Sequence, residues 1–264
     1  MERRSLVVVL VGLLALVAAA AVLTVPGSSP AGPLDGDQSY PEGAGPDHVN
    51  LSALEADGTN VSNAPRSHWD TYAIVYSAPE ERRLVEGNYY IDATTGAIVG
   101  QRWHDGKVYI NGSTYAFVQP ADSLPAHQRE QFTSDPQFVY DNATDAYYRY
   151  DPHYGQVAPT NIGRHPDILD GYTWTAVNTT THHGVPVITY RVTGVRSTAA
   201  DIPPPRNGTL RLGLDDGVVY AFGLTLDADG DTYRYTYDVR PAPFPDTDWV
   251  ETAQAVTAAN ESAE

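Results

Sequence analysis

The sequence predicts an α+β, predominantly β protein: a curved antiparallel sheet with a few short helices, preceded by one N-terminal transmembrane helix. From position 69 onward, apolar and polar residues alternate with a period of two, the side-chain period of a strand. Asn-Gly and Asp-Gly turn signals punctuate the alternation about every 8–12 residues, as between short antiparallel strands. Near the start, an apolar run is about 20 residues long, enough for a helix to span a bilayer.

The apolar run covers residues 6–25, carries no charge and follows Arg3 and Arg4. Its positive flank predicts that the N-terminus stays inside and that the remainder lies outside. We expect residues 1–25 to be a single-pass signal anchor that holds the protein to the cell membrane. The alternative is a signal peptide that is cleaved after the alanines at 18–21, which leaves a secreted protein.

The rest of the chain divides into two parts. Residues 26–49 are rich in Pro, Gly, Ser and Asp, a composition typical of a flexible linker. Residues 50–264 are expected to form one extracytoplasmic β-rich domain. Within it we predict a short helix near 51–56, a second helix capped by Ser123, and a terminal helix capped by Asp246 or Asp248.

The clearest pattern is a three-stranded antiparallel meander over residues 209–239. Asp-Gly signals separate its strands, and large apolar and tyrosine side chains recur at every second position. These side chains are expected to share the face of the sheet that is turned away from water. The meander residues on this face are Tyr220, Phe222, Leu224, Tyr233, Tyr235 and Tyr237.

The composition excludes several classes of function. Cysteine is absent, so the chain has no disulfide, no thiolate nucleophile and no lipidated cysteine. The net charge is −17, with Lys+Arg 16 against Asp+Glu 33, and the only lysine is Lys107. Nucleic acid is therefore a poor partner, because phosphate binding needs clustered cations. Strong acidity with scarce lysine indicates a protein made for high salt; the alternative is an ordinary acidic domain.

Seven Asn-x-Ser/Thr sequons agree with an exterior location, because such a sequon is glycosylated only outside the cell. The candidate acceptors are Asn50, Asn60, Asn111, Asn142, Asn178, Asn207 and Asn260.

Motifs with a defined chemistry are scarce. The chain has no Gly-x-Ser-x-Gly elbow, P-loop or dinucleotide fingerprint, so we predict no catalytic residue and no cofactor. His182 and His183 are interpreted as a turn pair rather than metal ligands, and residues 227–231 as an acidic hairpin turn rather than a calcium loop. In the tyrosine-rich segment 147–154, Tyr148 and Tyr150 are candidates for a ligand platform, but the favoured interpretation places them in the core with their hydroxyls at the rim.

The order of these features resembles that of a known family. An exported N-terminus, a polar spacer, hairpins such as Asp105-Gly106-Lys107-Val108-Tyr109, and a final meander are followed by Pro245-Asp246-Thr247-Asp248-Trp249-Val250 and an alanine-rich tail. The pattern, over about residues 67–255, is similar to haloarchaeal surface proteins with a LolA/LppX-like half-barrel. This resemblance implies that the concave sheet face can hold lipid or an acyl chain. Many relatives carry a lipobox cysteine, which this chain lacks.

Three functions follow from these observations. The first is a membrane-tethered, non-catalytic binding module for a lipid or other apolar ligand, held by the meander residues and by Tyr148 and Tyr150. The second is a structural or interaction protein of the cell envelope without a small ligand, which a filled interior would favour. The third is a cell-surface hydrolase, which requires a cleft where a histidine meets a carboxylate.

The charge of the chain predicts that salt stabilises it. Raising KCl from about 0.1 M to about 2 M should raise the melting temperature, because screening removes the self-repulsion of the acidic surface. Thermal melts followed by circular dichroism measure this, with a near-neutral β-sheet protein as the control. A melting temperature that stays constant or falls with salt would contradict the prediction.

Overall fold

The computed structural model describes residues 32–34, 36–51, 68–80, 83–101, 103–154, 166–196, 202–228 and 230–262. The predicted anchor 1–25 and the sequon at Asn60 lie outside these ranges. Within them, no helix has both the length and the apolar composition needed to cross a membrane.

The described residues form one thirteen-stranded sheet in which every neighbouring pair is antiparallel, in the order β1-β9-β10-β11-β12-β13-β2-β3-β4-β5-β6-β8-β7. The strands are β1 Gly32–Pro33, β2 Thr71–Glu80, β3 Arg83–Asp92, β4 Ile98–Gln101, β5 Lys107–Asn111, β6 Thr114–Pro120, β7 Val139–Asp141, β8 Ala146–Asp151, β9 Tyr172–His182, β10 Val185–Val195, β11 Pro205–Gly213, β12 Val219–Ala228 and β13 Asp231–Pro241. The helices are α1 Ala126–Ser134, α2 Pro166–Leu169 and α3 Asp248–Glu261, with a 3₁₀ turn at Trp103–Asp105. The predicted antiparallel, predominantly β architecture is confirmed.

The predicted meander is present as β11, β12 and β13, which are neighbours in the sheet. Phe222 on β12 lies opposite Leu210 on β11 and Tyr237 on β13, so these side chains share one face. The final strand continues the sheet by pairing with β2, where Val239 lies opposite Ile74. The sheet therefore joins strands from the beginning and the end of the domain, which no local sequence pattern indicates.

The main core lies on the inner face of strands β2, β3 and β9–β13. Its largest fully buried side chains are Trp174, Tyr72, Tyr172, Tyr190, Tyr220, Ile74, Ile91, Leu169, Ile188, Leu210, Leu212 and Leu224. Apolar side chains from seven strands are directed at one another, so the sheet supplies most of its own core, to which Val49, Leu51 and Leu169 contribute from outside the strands.

Strong curvature is visible in one contact across the sheet. In a flat sheet, β9 and β13 would lie about 19 Å apart, because four ladder spacings of about 4.8 Å separate them. Nevertheless, His182 Nε2, at the end of β9, is 2.7 Å from the carbonyl oxygen of Val239 on β13. The sheet therefore curls until the tip of the β9–β10 hairpin meets β13.

The other half of the sheet is covered on both faces. Tyr115 and Phe117 of β6 pack with Phe132 of α1 and Phe138 on one face. Ala116 and Val118 pack on the other face against Trp249, Ala253 and Val256 of α3. This explains why five consecutive residues of β6 are buried. The predicted terminal helix is confirmed.

Three local predictions were wrong in detail. Ser123 does not cap α1, which begins after Pro125; its hydroxyl instead donates to Pro120 O at 2.8 Å. The position before α3 is Thr247, so neither Asp246 nor Asp248 occupies the cap. The Asn-Gly signal at residues 111–112 predicts that these two residues separate the strands, but the β5–β6 loop is formed by residues 112–113, because Asn111 still pairs with Thr114, and Gly112 supplies the positive φ of 57°.

Two valines on neighbouring strands provide a matched test of the core. Val187 on β10 is 0% exposed, whereas Val177 on β9 is 37% exposed. Val187→Ala should lower the free energy of unfolding by about 2 kcal/mol through lost burial and a residual cavity. Val177→Ala should change it by less than about 0.5 kcal/mol. Chemical denaturation of both variants measures the difference, and equal losses would contradict the assignment of Val187 to the core.

Candidate functional site

The meander residues proposed to hold a ligand lie together on the inner face. Tyr220 and Leu224 are 0% exposed, and Phe222 and Tyr237 are 4% and 7% exposed. Tyr233 and Tyr235 are half-buried and pack against the same core. The structure thus brings all six together, as the alternation predicts. Their role in binding a ligand stays a prediction.

These aromatic side chains contact one another and the protein's own polar groups. The rings of Phe222 and Tyr237 stack with centroids 5.5 Å apart and planes within 8°. The Tyr220 hydroxyl donates to Asp216 Oδ2 at 2.6 Å. Burial first, and for Tyr220 also the bond to Asp216, raises the pKa of both phenols above the ordinary value. Both hydroxyls therefore stay neutral, as is typical of core tyrosines.

The tyrosine-rich segment supports the sheet. Tyr148 is 4% exposed and packs with Tyr150 in the α3 cluster. Tyr154 stacks on Tyr115 with centroids 4.5 Å apart, and the Arg149 guanidinium lies 5.2 Å from the Tyr115 ring. Most of the aromatic surface of this segment is thus used in packing within the chain.

The two adjacent histidines form the predicted turn between β9 and β10. His183 and Gly184 are the loop residues and have φ of 49° and 91°, as a type I′ turn requires. The imidazoles of both histidines and the carboxylate of Asp238 lie close enough to be compared with a metal site, since their ligand atoms are within 4.8 Å of one another.

The hydrogen bonds of His182 do not suit a metal ligand. Arg211 Nη1 lies 3.1 Å from His182 Nδ1, and arginine can only donate. Nδ1 is therefore the acceptor, and Nε2 carries the proton that it donates to Val239 O. Both ring nitrogens are engaged, which leaves no lone pair for a cation. The side chain instead fastens the hairpin tip to β13.

Two histidine–carboxylate contacts bear on the hydrolase hypothesis. His182 Nε2 is 3.4 Å from Asp238 Oδ1, and His68 Nε2 is 3.4 Å from Asp216 Oδ2. In the first pair, the second ring nitrogen of His182, Nδ1, faces Arg211 rather than a nucleophile. In the second pair the same carboxylate oxygen of Asp216 accepts the Tyr220 hydroxyl. Among the hydrogen bonds of the described residues, none joins a serine or threonine to the histidine of either pair.

The sequons that fall within the described ranges are accessible. Asn50, Asn142, Asn178, Asn207 and Asn260 are exposed, and Asn111 is half-buried. Glycosylation itself stays a prediction.

A polar groove lies on the outer face of β10–β13. Its volume is about 660 Å³, and it is lined by Arg191, Arg206, Asn207, Thr209, Gly223, Thr225, Thr232 and Arg234, together with parts of Val192, Gly208 and Leu224. A smaller cavity of about 320 Å³ lies between residues 47–50, β9 and Arg196. The groove was not predicted from the sequence, although its arginines occupy outward-facing positions of the same alternation.

No family model matches the chain, and no curated protein matches it. Among solved structures, MucB in complex with MucA(peri) is similar at 13% identity and a TM-score of 0.26, over 72% of this chain and 57% of that chain. The chain thus spans little more than half the length of MucB. A LolA superfamily protein from Nitrosomonas europaea is similar at 11% identity and a TM-score of 0.19, over 68% of this chain and 89% of that chain. Both scores are low.

The His182 contacts predict a pH-dependent stability. Desolvation by burial is the main cause that lowers the pKa of His182, and the neighbouring Arg211 adds to it. Unfolding releases the ring, which takes up a proton near its ordinary pKa of about 6.5. The unfolded state therefore binds more protons below that pH, and stability should fall as the solution is acidified from about pH 7 to about pH 5.

The effect can be isolated with a variant. His182→Gln should remove a slope of at most about 1.4 kcal/mol per pH unit from the free energy of unfolding in this window. His183→Asn, which alters the exposed neighbour and tolerates positive φ, should keep the slope. Denaturation curves across the pH range give the values, and an unchanged slope in the His182 variant would refute the assignment.

Proposed function

We propose that this protein is a non-catalytic interaction module of the cell envelope, which meets its partner on the outer surface of the sheet. The observation that carries the proposal is the filled inner face: the side chains that would contact an apolar ligand already contact one another. A small-ligand pocket is usually concave, apolar and largely formed before binding. The larger of the two cavities described above is instead a polar groove on the opposite face.

An apolar ligand on the inner face would have to separate this core. Each large side chain that leaves the core gives up about 1.5–3 kcal/mol of burial. Displacing Tyr220, Phe222, Leu224 and Tyr237 together would cost about 6–12 kcal/mol, which is comparable with the whole stability of a typical domain, about 5–15 kcal/mol. This cost favours the interaction protein over the lipid carrier that the family resemblance suggests.

The placement at the envelope rests on the sequence. The charge-free run at 6–25 behind two arginines supports a single-pass anchor with the domain outside, and the exposed sequons agree with it. A non-catalytic role agrees with the two histidine–carboxylate contacts: that of His182 joins β9 to β13, and that of His68 joins the segment before β2 to the β11–β12 turn.

Native mass spectrometry of the full-length chain, extracted from its own membrane, tests the proposal. We expect the mass of the chain, with any glycans, to carry no lipid after mild detergent removal. A lipid-carrier protein handled in parallel provides the positive control. A stoichiometric lipid adduct that survives this treatment would overturn the proposal in favour of the carrier.

A further inference from the structure

Three arginines gather in the groove on the outer face of β10–β13, although acidic residues outnumber basic ones two to one, 33 against 16. Arg191, Arg206 and Arg234 are all exposed. Among the described residues, no carboxylate lies within ion-pair distance of Arg191 or Arg234. The local charge in the groove is thus opposite to the charge of the whole protein.

The strand registers place these groups on one face. Arg191 lies opposite Thr209, and Thr209 lies opposite Gly223. Thr225, two residues further along β12, lies opposite Arg234. Directly opposed residues share a face, and so do residues two apart in a strand. The intervening residues Leu210 and Leu224 point into the core, so the arginines stand on the outside.

The floor between the arginines is low and polar. Thr209 and Thr225 present short hydroxyl side chains, and Gly223 has none. A Cβ built on Gly223 would meet only Thr209 Oγ1, at 4.0 Å, so the space above it is open. An extended backbone can therefore lie on the floor within reach of hydroxyl groups.

The spacing of the arginines matches an extended peptide. Arg191 and Arg234 stand on strands three ladder spacings apart, and Arg234 lies two residues along β13 from the position in register with Arg191, so their backbones are about 16 Å apart. An extended chain rises about 3.3 Å per residue and covers about 13 Å in four residues, and the long arginine side chains can span the remaining distance of about 3 Å. Residues i and i+4 of an extended chain point to the same side. Two acidic side chains four residues apart can therefore address both guanidinium groups at once.

Arg206 makes the groove adaptable. Its Nη1 lies 3.9 Å from Asp227 Oδ1, and both side chains are more than half exposed, at 62% and 53%. Exposed pairs of this kind contribute little stability, so an incoming carboxylate can replace Asp227 at small cost.

We propose that this groove binds an extended acidic peptide segment of a partner protein, with carboxylates at positions i and i+4 held by Arg191 and Arg234. The proposal deepens the proposed function and rests on it. Guanidinium groups hold carboxylates in paired, charge-assisted hydrogen bonds. The net charge of −17 repels long polyanions, whereas a short acidic segment needs to match only the groove.

The test uses the capped pentapeptide Glu-Ser-Thr-Ser-Glu with a neutral fluorophore, and fluorescence anisotropy with the full-length chain. The comparison peptide has glutamine at both ends. Measurements are made at the lowest salt at which circular dichroism shows the folded sheet. We expect saturable binding of the acidic peptide, and at least tenfold weaker binding of the glutamine peptide.

Two double variants with the same charge change locate the site. Arg191→Gln with Arg234→Gln should weaken binding about tenfold, the equivalent of two exposed charge pairs at about 0.7 kcal/mol each. Lys107→Gln with Arg240→Gln, at exposed positions outside the groove, should weaken it less than about twofold. Equal losses in the two variants would mean unspecific attraction and would overturn the proposal, as would no binding by the unaltered protein.

Inorganic phosphate separates a peptide site from a general anion site. If phosphate displaces the labelled peptide as effectively as unlabelled peptide does, the assignment to a peptide is wrong. If the peptide does not bind, the protein can still show the lipid-free mass that the proposed function predicts. If native mass spectrometry finds a lipid adduct, the peptide can still bind. The two proposals can therefore fail separately.

Discussion

The structure depends on a single sheet that must bury its own apolar face. The chain has no disulfide to limit its unfolded state, and on the inner side of β2, β3 and β9–β13 the strands themselves supply most of the core. Curvature is the physical solution, because it directs side chains from distant strands toward one another. The contact from His182 to Val239 marks the place where this curvature brings the two sides together. In the remaining part, α1 and α3 do the same work by covering β6.

Because the inner face of the sheet is used for the core, the outer face is the surface that is available for a partner. The inner side chains are committed to the core, and an opening there would expose several aromatic rings at once. The outer side chains that line the groove are mostly short or charged, and they are not needed to fill the core. The outer groove, lined by three arginines, three threonines and two glycines among other residues, is therefore the surface that we propose for recognition. In so acidic a protein, a small cationic area is also the most selective contrast that the surface can offer.

The local sequence pattern predicted much of the fold, but it could not predict which strands distant in the sequence pair with each other. The alternation at Tyr220, Phe222 and Leu224 correctly gave strand, face and burial, because the period of two is a property of each strand alone. Pairing of β2 with β13 is decided by the whole sheet, so no window of sequence contains it. The groove was missed for the same reason: Arg191 and Arg234 stand 43 positions apart, and only the registers bring them to one face. The helix caps failed because backbone geometry at Pro125 and Thr247 set the helix starts without a side-chain bond.

The position of β2 between β13 and β3 has a consequence for how the chain is made. A ribosome delivers β2 early, yet its neighbour is the last strand of the sheet, more than 150 residues later. Until that strand arrives, β2 and β12 each keep an edge of unpaired amide and carbonyl groups, which invites aggregation. Contacts between such distant residues also slow folding, since a long loop must close first. A chain that stops short of residue 231 would thus lack the strand that joins β12 to β2, so the sheet cannot be completed until β13 has been synthesised.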